Sequence, residues 1–334
     1  MYSCLIIGLG NVGMGYDLNS SLIQSHSKAI NYHKKFILFG AVEIDKKKRE
    51  LFEKKYKKPT FVSIKSSLNI LKPQVIIISS TTQSHLYILK KIFNYHKPKV
   101  IICEKPLGSN LDESKTIINI CKKNRTKLYV NYVRLSDPGV IKIKKKINSN
   151  KIETPASGIV YYNRGVLNNA SHFLNMLQFW FGKVIRAQLI DKGVKYGNFD
   201  FDSTFVISFK KANFLFEPTK NHIINTNYIE IFTENGKLLY KNGGKNISWK
   251  KLKKSKDNFL KFHKKNYKIH SGKTKSQLHF LNNLYYALNK KNSSICTGQK
   301  AIKNCYKDAK KKKLKDGECI FVDFRKHLKT LVCL

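Results

Sequence analysis

The chain lacks several features that would assign it to a membrane-spanning, disulfide-bonded or metal-binding class. No run approaches the roughly 18 consecutive apolar residues that a membrane helix needs. Its seven cysteines are odd in number and contain no C-x-x-C pair, and its ten histidines show neither H-x-x-x-H nor H-E-x-x-H. We therefore expect no membrane partner, no metal and reduced thiols, as in a cytoplasmic protein. Because strand-like residues begin at Tyr2, we expect no signal peptide.

Arginine is also scarce, because only six of the 64 basic residues are arginine although the formal net charge is +43. Surfaces that read nucleic-acid bases favour arginine, whose planar fork pairs with guanine edges and phosphates. Here lysine is spread over the whole length beside abundant asparagine and isoleucine, residue types that share A/T-rich codons. This composition argues against a specific nucleic-acid partner and predicts only salt-sensitive adhesion to polyanions. The positive field would also attract an anionic substrate such as a sugar nucleotide.

The pattern of apolar residues changes near residue 135. In a first domain, residues 1–135, short apolar segments alternate with helix-like ones, which predicts βαβ units and a doubly wound parallel sheet. The second domain, residues 136–334, reads as an α/β domain with an open, mostly antiparallel sheet. The predicted strands are 2–7, 36–43, 75–80, 100–104, 127–132 and 156–164, followed by extended segments from 184 to 249. The predicted helices are 24–33, 46–56, 85–95, 111–124, 168–181, 276–290 and 299–313.

The first predicted strand ends in a G-x-G-x-x-G motif formed by Gly8, Gly10 and Gly13. In a doubly wound sheet the first glycine permits a tight turn and the second lets the backbone approach a pyrophosphate. The third packs the next helix closely on the strand. The motif therefore predicts a dinucleotide site that uses Gly8, Gly10, Asn11, Val12, Gly13 and the N-terminus of the following helix. An ordinary glycine turn is the alternative.

The apolar strand that ends in Glu104-Lys105-Pro106 lies about 90 residues after the glycine motif. This arrangement resembles the Gfo/Idh/MocA family, named for glucose–fructose oxidoreductase and inositol dehydrogenase. Four further segments resemble the family pattern in the same order, namely 43–45, 80–85, 131–138 and 165–172. The resemblance implies an N-terminal Rossmann domain and a C-terminal α/β domain. It also implies a homo-oligomer, dimer or tetramer, because the open sheet often serves subunit contacts in the family.

The resemblance further implies that the cofactor is NAD, with NADP left open. Glu43 stands where the family places an acid for the adenosine ribose, and such a carboxylate repels the 2′-phosphate of NADP. The basic residues 46–49 follow at once and would instead grip that phosphate. Glu43 lies 30 residues after Gly13, more than the typical spacing of about 20, so residues 14–25 are predicted to be an inserted loop. The other cofactor-lining candidates are Ser80, Thr81, His85 and Glu104.

Two residues are candidates for catalysis. Lys105, at the carboxyl end of a parallel strand, would hydrogen-bond the reacting oxygen, and His172 would transfer the proton. Asn168, four residues before His172 on the same helical face, replaces an aspartate that is common in the family. An amide holds a substrate hydroxyl but cannot accept its proton, so proton transfer rests on His172, with or without Lys105, or activity has been lost. A solvated lysine and a core histidine are the alternatives. Further substrate-binding candidates are Arg134, Tyr161 and Asn163.

These residues predict an NAD(P)-dependent oxidoreductase that acts on a CH–OH group of a sugar or sugar derivative. The resemblance also implies that some members of the family that act on sugar nucleotides carry asparagine at the position of Asn168. The resemblance therefore implies that a nucleotide-linked sugar of polysaccharide biosynthesis is one substrate class. The alternative function is a non-catalytic NAD(P)-binding sensor or scaffold of the same fold, which the loss of the aspartate favours.

Overall fold

A computed structural model describes residues 1–197, 200–219, 227–254 and 259–301. Within these limits the chain divides into two compact units. The first unit contains residues 1–136 and 274–301, and the second contains residues 137–273. The helix expected at 299–313 lies mostly outside the described residues.

Six parallel strands form the sheet of the first unit. They are β1 (Tyr2–Ile7), β2 (Phe36–Val42), β3 (Thr60–Phe61), β4 (Val75–Ile78), β5 (Val100–Cys103) and β6 (Lys127–Val130). Their order, β3-β2-β1-β4-β5-β6, is that of a Rossmann fold and confirms the predicted parallel sheet. Ile76, Ile77 and Ile101 have no solvent exposure, as expected for strands buried on both faces. The sequence pattern did not predict β3, which is only two residues long.

Eight helices lie in the described residues. They are α1 (His26–Tyr32), α2 (Lys46–Tyr56), α3 (Ile64–Ile70), α4 (His85–Tyr95), α5 (Leu111–Lys123), α6 (Pro138–Asn148), α7 (Ser171–Phe181) and α8 (Ser276–Leu288). All except α6 and α7 belong to the first unit. Side-chain caps start several of them, since Asp45 accepts the N–H of Lys48 in α2 and Asn110 accepts the N–H of Glu113 in α5.

The helix α8 belongs to the first unit although it is far from it in sequence. Its residues Phe280, Leu281 and Leu284 are buried in the same apolar core as Ile6 of β1 and Leu38 of β2. The first unit therefore needs residues from both ends of the described chain to complete its core.

Nine strands form the sheet of the second unit. They are β7 (Ala156–Tyr162), β8 (Val184–Tyr196), β9 (Asp200–Phe209), β10 (Ala212–Pro218), β11 (Tyr228–Thr233), β12 (Gly236–Lys241), β13 (Asn246–Lys254), β14 (Leu260–Phe262) and β15 (Tyr267–Ile269). Their order is β14-β13-β12-β11-β7-β10-β9-β8, and β15 pairs with β13. Only the β7–β10 pair is parallel in the described sheet. The predicted open, mostly antiparallel sheet is thus confirmed.

None of the helices in the described ranges has both the length and the apolar character that crossing a membrane requires.

Candidate active-site residues

The glycine motif forms a tight turn directly after β1. Gly8 has a φ of +98°, and a Cβ added there would lie 2.8 Å from the backbone nitrogen of Ser80. A Cβ at Gly13 would lie 2.2 Å from the carbonyl oxygen of Gly8, whereas a Cβ at Gly10 would meet no protein atom within 4 Å. Internal packing therefore requires the first and third glycines. The second glycine leaves space beside the turn, so that a pyrophosphate can approach the backbone closely.

Four backbone N–H groups follow along this turn. In the part of the chain that the structure describes, the N–H groups of Gly10, Asn11, Val12 and Gly13 donate to no protein acceptor. The carbonyl of Gly10 accepts the N–H of Met14 at 2.9 Å, so the segment begins as a single helical turn. N–H groups at the start of such a turn supply donors and partial positive charge to an anion.

The predicted contribution of the following helix is wrong, because α1 does not supply these donors. Its first N–H groups are already bonded within the protein, since His26 donates to Val12 at 2.9 Å and Ser27 donates to Gly13 at 3.0 Å. The inserted loop separates α1 from the motif, and the short turn at residues 10–14 takes the place that a Rossmann helix N-terminus usually occupies.

A buried carboxylate holds the inserted loop. Asp17 has no solvent exposure, and its side chain accepts the N–H of Gln24 at 2.6 Å and the N–H of Ser25 at 2.8 Å. The hydroxyl of Ser25 donates to the same carboxylate at 2.6 Å. These three bonds offset the desolvation of a buried charge. The sequence indicated Asp17 only as one of the residues typical of an inserted loop, and the hydrogen bonds by which it holds that loop were not predicted.

Glu43 follows β2 and lies against the glycine turn. Its Oε2 accepts the N–H of Leu9 at 2.6 Å, and its Oε1 accepts the N–H of Asp45 at 3.1 Å. The guanidinium of Arg49 donates to the carbonyls of Glu43 at 2.9 Å and Ile44 at 2.8 Å. Each carboxylate oxygen can accept a second hydrogen bond, so Glu43 remains able to hold a ribose hydroxyl.

The loop after β4 reaches the same glycine turn. Ser79 donates its hydroxyl proton to the carbonyl of Gly8 at 2.8 Å, which fixes the two strand ends together. The Oγ atoms of Ser84 and Ser80 lie 2.8 Å apart. Ser80 is half-buried at this edge and Thr81 beside it is exposed, so both predicted cofactor-lining residues lie next to the turn.

His85 is buried at the start of α4, and both of its ring nitrogens face protein carbonyls. Nδ1 lies 3.1 Å from the carbonyl oxygen of Leu107 and Nε2 lies 3.3 Å from that of Ser80. Burial lowers the pKa of His85 in spite of these carbonyls and of the charge on Glu104. A neutral imidazole carries one N–H, so it donates to one of these two carbonyls and only packs against the other.

The E-K-P segment leaves the carboxyl end of β5, so Glu104 and Lys105 lie at the same sheet edge as the glycine turn. Oε1 of Glu104 lies 2.8 Å from Nε2 of His26 and accepts Nδ2–H of Asn131 at 2.5 Å. Burial alone would raise the pKa of Glu104, but the hydrogen bond and charge of His26, the hydrogen bond of Asn131 and the positive charge of Lys105 lower it overall. Sequence reasoning missed the roles of His26 and Asn131, because no local pattern reports a contact across such long separations.

In the second unit, Asn168 and His172 lie in one helical stretch. It begins with a π-helical turn at Val166–Ala170, a form that often occurs at functional sites, and continues as α7. Asn168 is exposed and donates from Nδ2 to the carbonyl of Arg164 at 3.1 Å, while His172 is half-buried. The helix predicted at 168–181 is confirmed, and it ends at Gly182 with a φ of +92°.

Two aspartates that sequence reasoning missed fix the start of this helical stretch. Asp200 accepts the N–H of Leu167 at 3.0 Å and the N–H of Asn168 at 2.8 Å, and Asp202 accepts the N–H of Gly165 at 2.6 Å. Burial raises the pKa of Asp200, and the negative charge of Asp202 raises it further. These backbone contacts position Asn168 in spite of the cost of burying two carboxylates together.

The raised pKa of Asp200 predicts a pH-dependent loss of stability. Its ionised form is less favourable in the folded protein than in the unfolded chain, so the free energy of unfolding falls as the pH rises from 3.8 through the folded value. Asp200→Asn removes this ionisation, so its stability is expected to fall less over that range. Urea unfolding of both proteins at several pH values measures the two slopes. Equal slopes would contradict the prediction.

The remaining substrate-binding candidates divide between the units. Tyr161 lies on β7 and stacks on Tyr228, with ring centroids 6.0 Å apart. Asn163 is buried and donates from Nδ2 to the hydroxyl of Thr219 at 3.3 Å. Arg134 is in the first unit, half-buried in the short helical turn Val133–Ser136. Among the described residues, no group of three or more histidine, cysteine, aspartate or glutamate side chains is arranged to hold a metal ion.

A match to a family model classifies the Rossmann part of the chain. Residues 2–132 match the Gfo/Idh/MocA model, described as an oxidoreductase family with an NAD-binding Rossmann fold. Residues 2–132 are thus a Rossmann unit of the Gfo/Idh/MocA type. The protein is therefore an oxidoreductase whose Rossmann unit binds NAD, as the glycine motif and the E-K-P segment predicted. Among curated proteins, none matches the chain in sequence.

Solved structures extend the likeness over both units. The WlbA dehydrogenase of Bordetella pertussis, crystallised with NADH and UDP-GlcNAcA, is 13% identical, with 90% of this chain and 91% of that chain covered and a TM-score of 0.68. The dehydrogenase MviM of Clostridium difficile is 17% identical, with 91% and 96% covered and a TM-score of 0.67. The UDP-N-acetylglucosamine 3-dehydrogenase GnnA of Acidithiobacillus ferrooxidans is 12% identical, with 89% and 92% covered and a TM-score of 0.65. Because the sequence identities are this low, the likeness to these structures shows a shared fold alone.

Proposed function

We propose that this oxidoreductase transfers a hydride between NAD and a hydroxyl-bearing or keto carbon of a sugar, with a nucleotide-linked sugar as the preferred substrate class. The observation that carries the proposal is the position of Lys105. It leaves the carboxyl end of β5, at the same edge of the sheet where the glycine turn after β1 presents its N–H groups. In open α/β sheets this edge binds ligands.

The residues at this edge fit a dinucleotide. The space beside Gly10 admits a pyrophosphate, and the N–H groups that follow provide its donors. Glu43 lies against the same turn with lone pairs available for ribose hydroxyls. When bound, NAD supplies the hydride acceptor for alcohol oxidation or, as NADH, the hydride donor for ketone reduction.

The protein's own residues handle the oxygen and the proton of the reacting group. An ammonium at Lys105 donates a hydrogen bond to the reacting oxygen and stabilises the negative charge that develops there. The imidazole of His172 accepts the hydroxyl proton during oxidation and returns it during reduction. Asn168 offers an amide to a substrate hydroxyl and takes no part in proton transfer, because an amide is not a base at neutral pH.

Two observations support a nucleotide-linked sugar as the substrate. The WlbA dehydrogenase of Bordetella pertussis was crystallised with UDP-GlcNAcA, and GnnA is a UDP-N-acetylglucosamine 3-dehydrogenase. The formal net charge of +43 also favours a substrate that carries a diphosphate. Synthesis of a surface glycan is the setting that such a substrate suggests.

A preference for NAD over NADP is expected from Glu43. Its carboxylate is held against the glycine turn, and Arg49 already donates to two backbone carbonyls. A negative charge near the ribose repels a 2′-phosphate, so NADH is expected to bind roughly tenfold more tightly than NADPH. Glu43→Gln keeps the shape of the side chain and removes its charge, which should narrow this ratio. Fluorescence titration measures all four affinities, and an unchanged ratio would assign the preference to another residue.

Turnover tests the proposed reaction directly. Purified protein is mixed with NAD and a panel of UDP-linked and free sugars, and formation of NADH is followed by absorbance. Turnover with a nucleotide-linked sugar, and not with the free sugar, supports the proposal. Tight binding of NADH without turnover of any sugar would favour the non-catalytic alternative, which the asparagine at position 168 makes a definite competitor.

A further inference from the structure

A buried polar cluster joins four elements of the first unit behind the E-K-P segment. It consists of His26 from α1, Glu104 after β5, Asn131 after β6 and Gln277 from α8. Asn131 donates from Nδ2 to Glu104 and also lies 3.3 Å from Oε1 of Gln277. His26 has no solvent exposure, and the side chain of Glu104 is 12% exposed. The cluster thus surrounds one carboxylate that directly precedes Lys105.

Two donors converge on one oxygen of Glu104. Oε1 accepts Nδ2–H of Asn131 at 2.5 Å, and Nε2 of His26 lies 2.8 Å from the same oxygen. Burial raises the pKa of Glu104, but the hydrogen bond and charge of His26, the hydrogen bond of Asn131 and the charge of Lys105 lower it overall. Glu104 is therefore a carboxylate at neutral pH, and Nε2 of His26 is the donor in the hydrogen bond between the two side chains.

The two oxygens of Glu104 have different surroundings. Oε1 accepts both hydrogen bonds from the cluster, whereas Oε2 accepts none within the described residues. We propose that His26 and Asn131 are positioning residues that hold Glu104 ionised, with Oε2 presented at the sheet edge as an acceptor for a hydroxyl or amide donor of the bound dinucleotide. The identity of that ligand rests on the proposed function, but the state of Glu104 does not.

The other charged and titratable groups around Glu104 do not replace His26. His85 of α4 is neutral because burial lowers its pKa, and burial keeps the thiol of Cys103 protonated by raising its pKa. The ammonium of Lys105 adds a favourable charge from the same segment. Loss of His26 therefore leaves a largely buried carboxylate with one fewer donor, and protonation of Glu104 becomes easier.

Carboxyl ¹³C NMR tests this without a ligand. The chain has ten glutamates, so δ-¹³C-glutamate labelling gives a small set of resonances, and Glu104→Gln identifies the one from Glu104. His26→Leu removes the donor and keeps an apolar side chain of similar size, whereas His26→Gln retains an N–H donor. The resonance of Glu104 is expected to titrate at a pH roughly one unit higher in His26→Leu than in the wild type. His26→Gln is expected to remain close to the wild type.

A matched control uses His33, which ends the same helix. Its Nε2 lies 3.0 Å from Oδ1 of Asn282 and does not touch Glu104, so His33→Leu removes an α1–α8 contact and leaves the carboxylate unchanged. Asn131→Leu removes the other donor to Oε1, which follows β6, and replaces His26→Leu in the test if that variant does not fold. The proposal would be overturned if Glu104 titrated at the wild-type pH in His26→Leu or, where that variant does not fold, in Asn131→Leu. It would also be overturned if His33→Leu shifted the titration of Glu104 by the same amount.

Binding of NADH across pH separates this inference from the proposed function. As the pH falls, the affinity of the wild-type protein for NADH is expected to stay constant. The affinity of His26→Leu for NADH is expected to drop roughly tenfold over a pH range in which the wild type is still unaffected. Equal affinities of the two proteins at every pH would show that Oε2 does not contact the dinucleotide, and so overturn that part of the proposal. Failure of the wild type itself to bind NADH would refute the proposed function and the dinucleotide ligand, while the NMR shift would still decide whether His26 holds Glu104 ionised.

Discussion

Gly10→Asp is expected to fold normally and to lose NADH affinity by roughly 100-fold or more. A Cβ at this position meets no protein atom within 4 Å, so the added side chain does not disturb the fold. Its carboxylate would occupy the side of the turn that a pyrophosphate needs and would repel the anion there. Fluorescence titration with NADH measures the loss, at a salt concentration that suppresses adhesion of polyanions to the lysines.

An uncharged change at Gly10 and a change at Gly13 provide the controls. Gly10→Ala adds one methyl group without charge and is expected to weaken binding much less than Gly10→Asp. Gly13→Ala is expected to destabilise the protein instead, because its Cβ would lie 2.2 Å from the carbonyl oxygen of Gly8. Thermal unfolding separates the two effects. A Gly10→Asp variant that binds NADH as the wild type does would show that the glycine turn is not the pyrophosphate site.

The parallel sheet could be predicted from the sequence because its signal is local. β4 and β5 are short runs of mainly valine and isoleucine, and β1 ends in a leucine and two isoleucines, while glycine, proline and lysine occur in the segments between the strands. Such runs identify strands that are buried on both faces. The helix α6 was not predicted, although Asp137 caps it, Pro138 is its first residue and Val140 and Ile143 give it an apolar face. The buried residues 140, 143 and 147 follow helical spacing and the lysines lie on the other faces, so the signal for this helix was present in the sequence.

The missed parts of the candidate site depend on contacts between distant residues. His26 and Glu104 are 78 residues apart, and Asn131 and Gln277 are 146 apart. No periodicity reports that such side chains meet, since the fold alone brings them to one edge of the sheet. The contribution of α1 to the dinucleotide site was mispredicted for a related reason. The spacing of the sequence indicated the inserted loop. It did not indicate that the first N–H groups of α1 would donate to carbonyls of the glycine motif.

Lys105→Met is expected to reduce kcat roughly 100- to 1,000-fold and to leave the affinity for NADH nearly unchanged. Methionine keeps the length and apolar stem of lysine but removes the ammonium that stabilises charge on the reacting oxygen. Loss of one such donor costs this much because it acts only in the transition state. Steady-state turnover of the best nucleotide-linked sugar gives kcat, and NADH titration gives the affinity.

Lys99 provides the matched control, because it immediately precedes β5 whereas Lys105 lies just beyond the other end of that strand. Its side chain is exposed, and its carbonyl, which a side-chain change leaves in place, accepts the N–H of Lys127. Lys99→Met removes the same charge beside the opposite end of β5 and is expected to leave kcat unchanged. An equal loss in both variants would attribute the effect to the overall positive field, whereas full activity in Lys105→Met would show that the reacting oxygen is held by another group. A loss confined to Lys105→Met requires a local role, because net charge and the sequence of β5 are identical in the two variants.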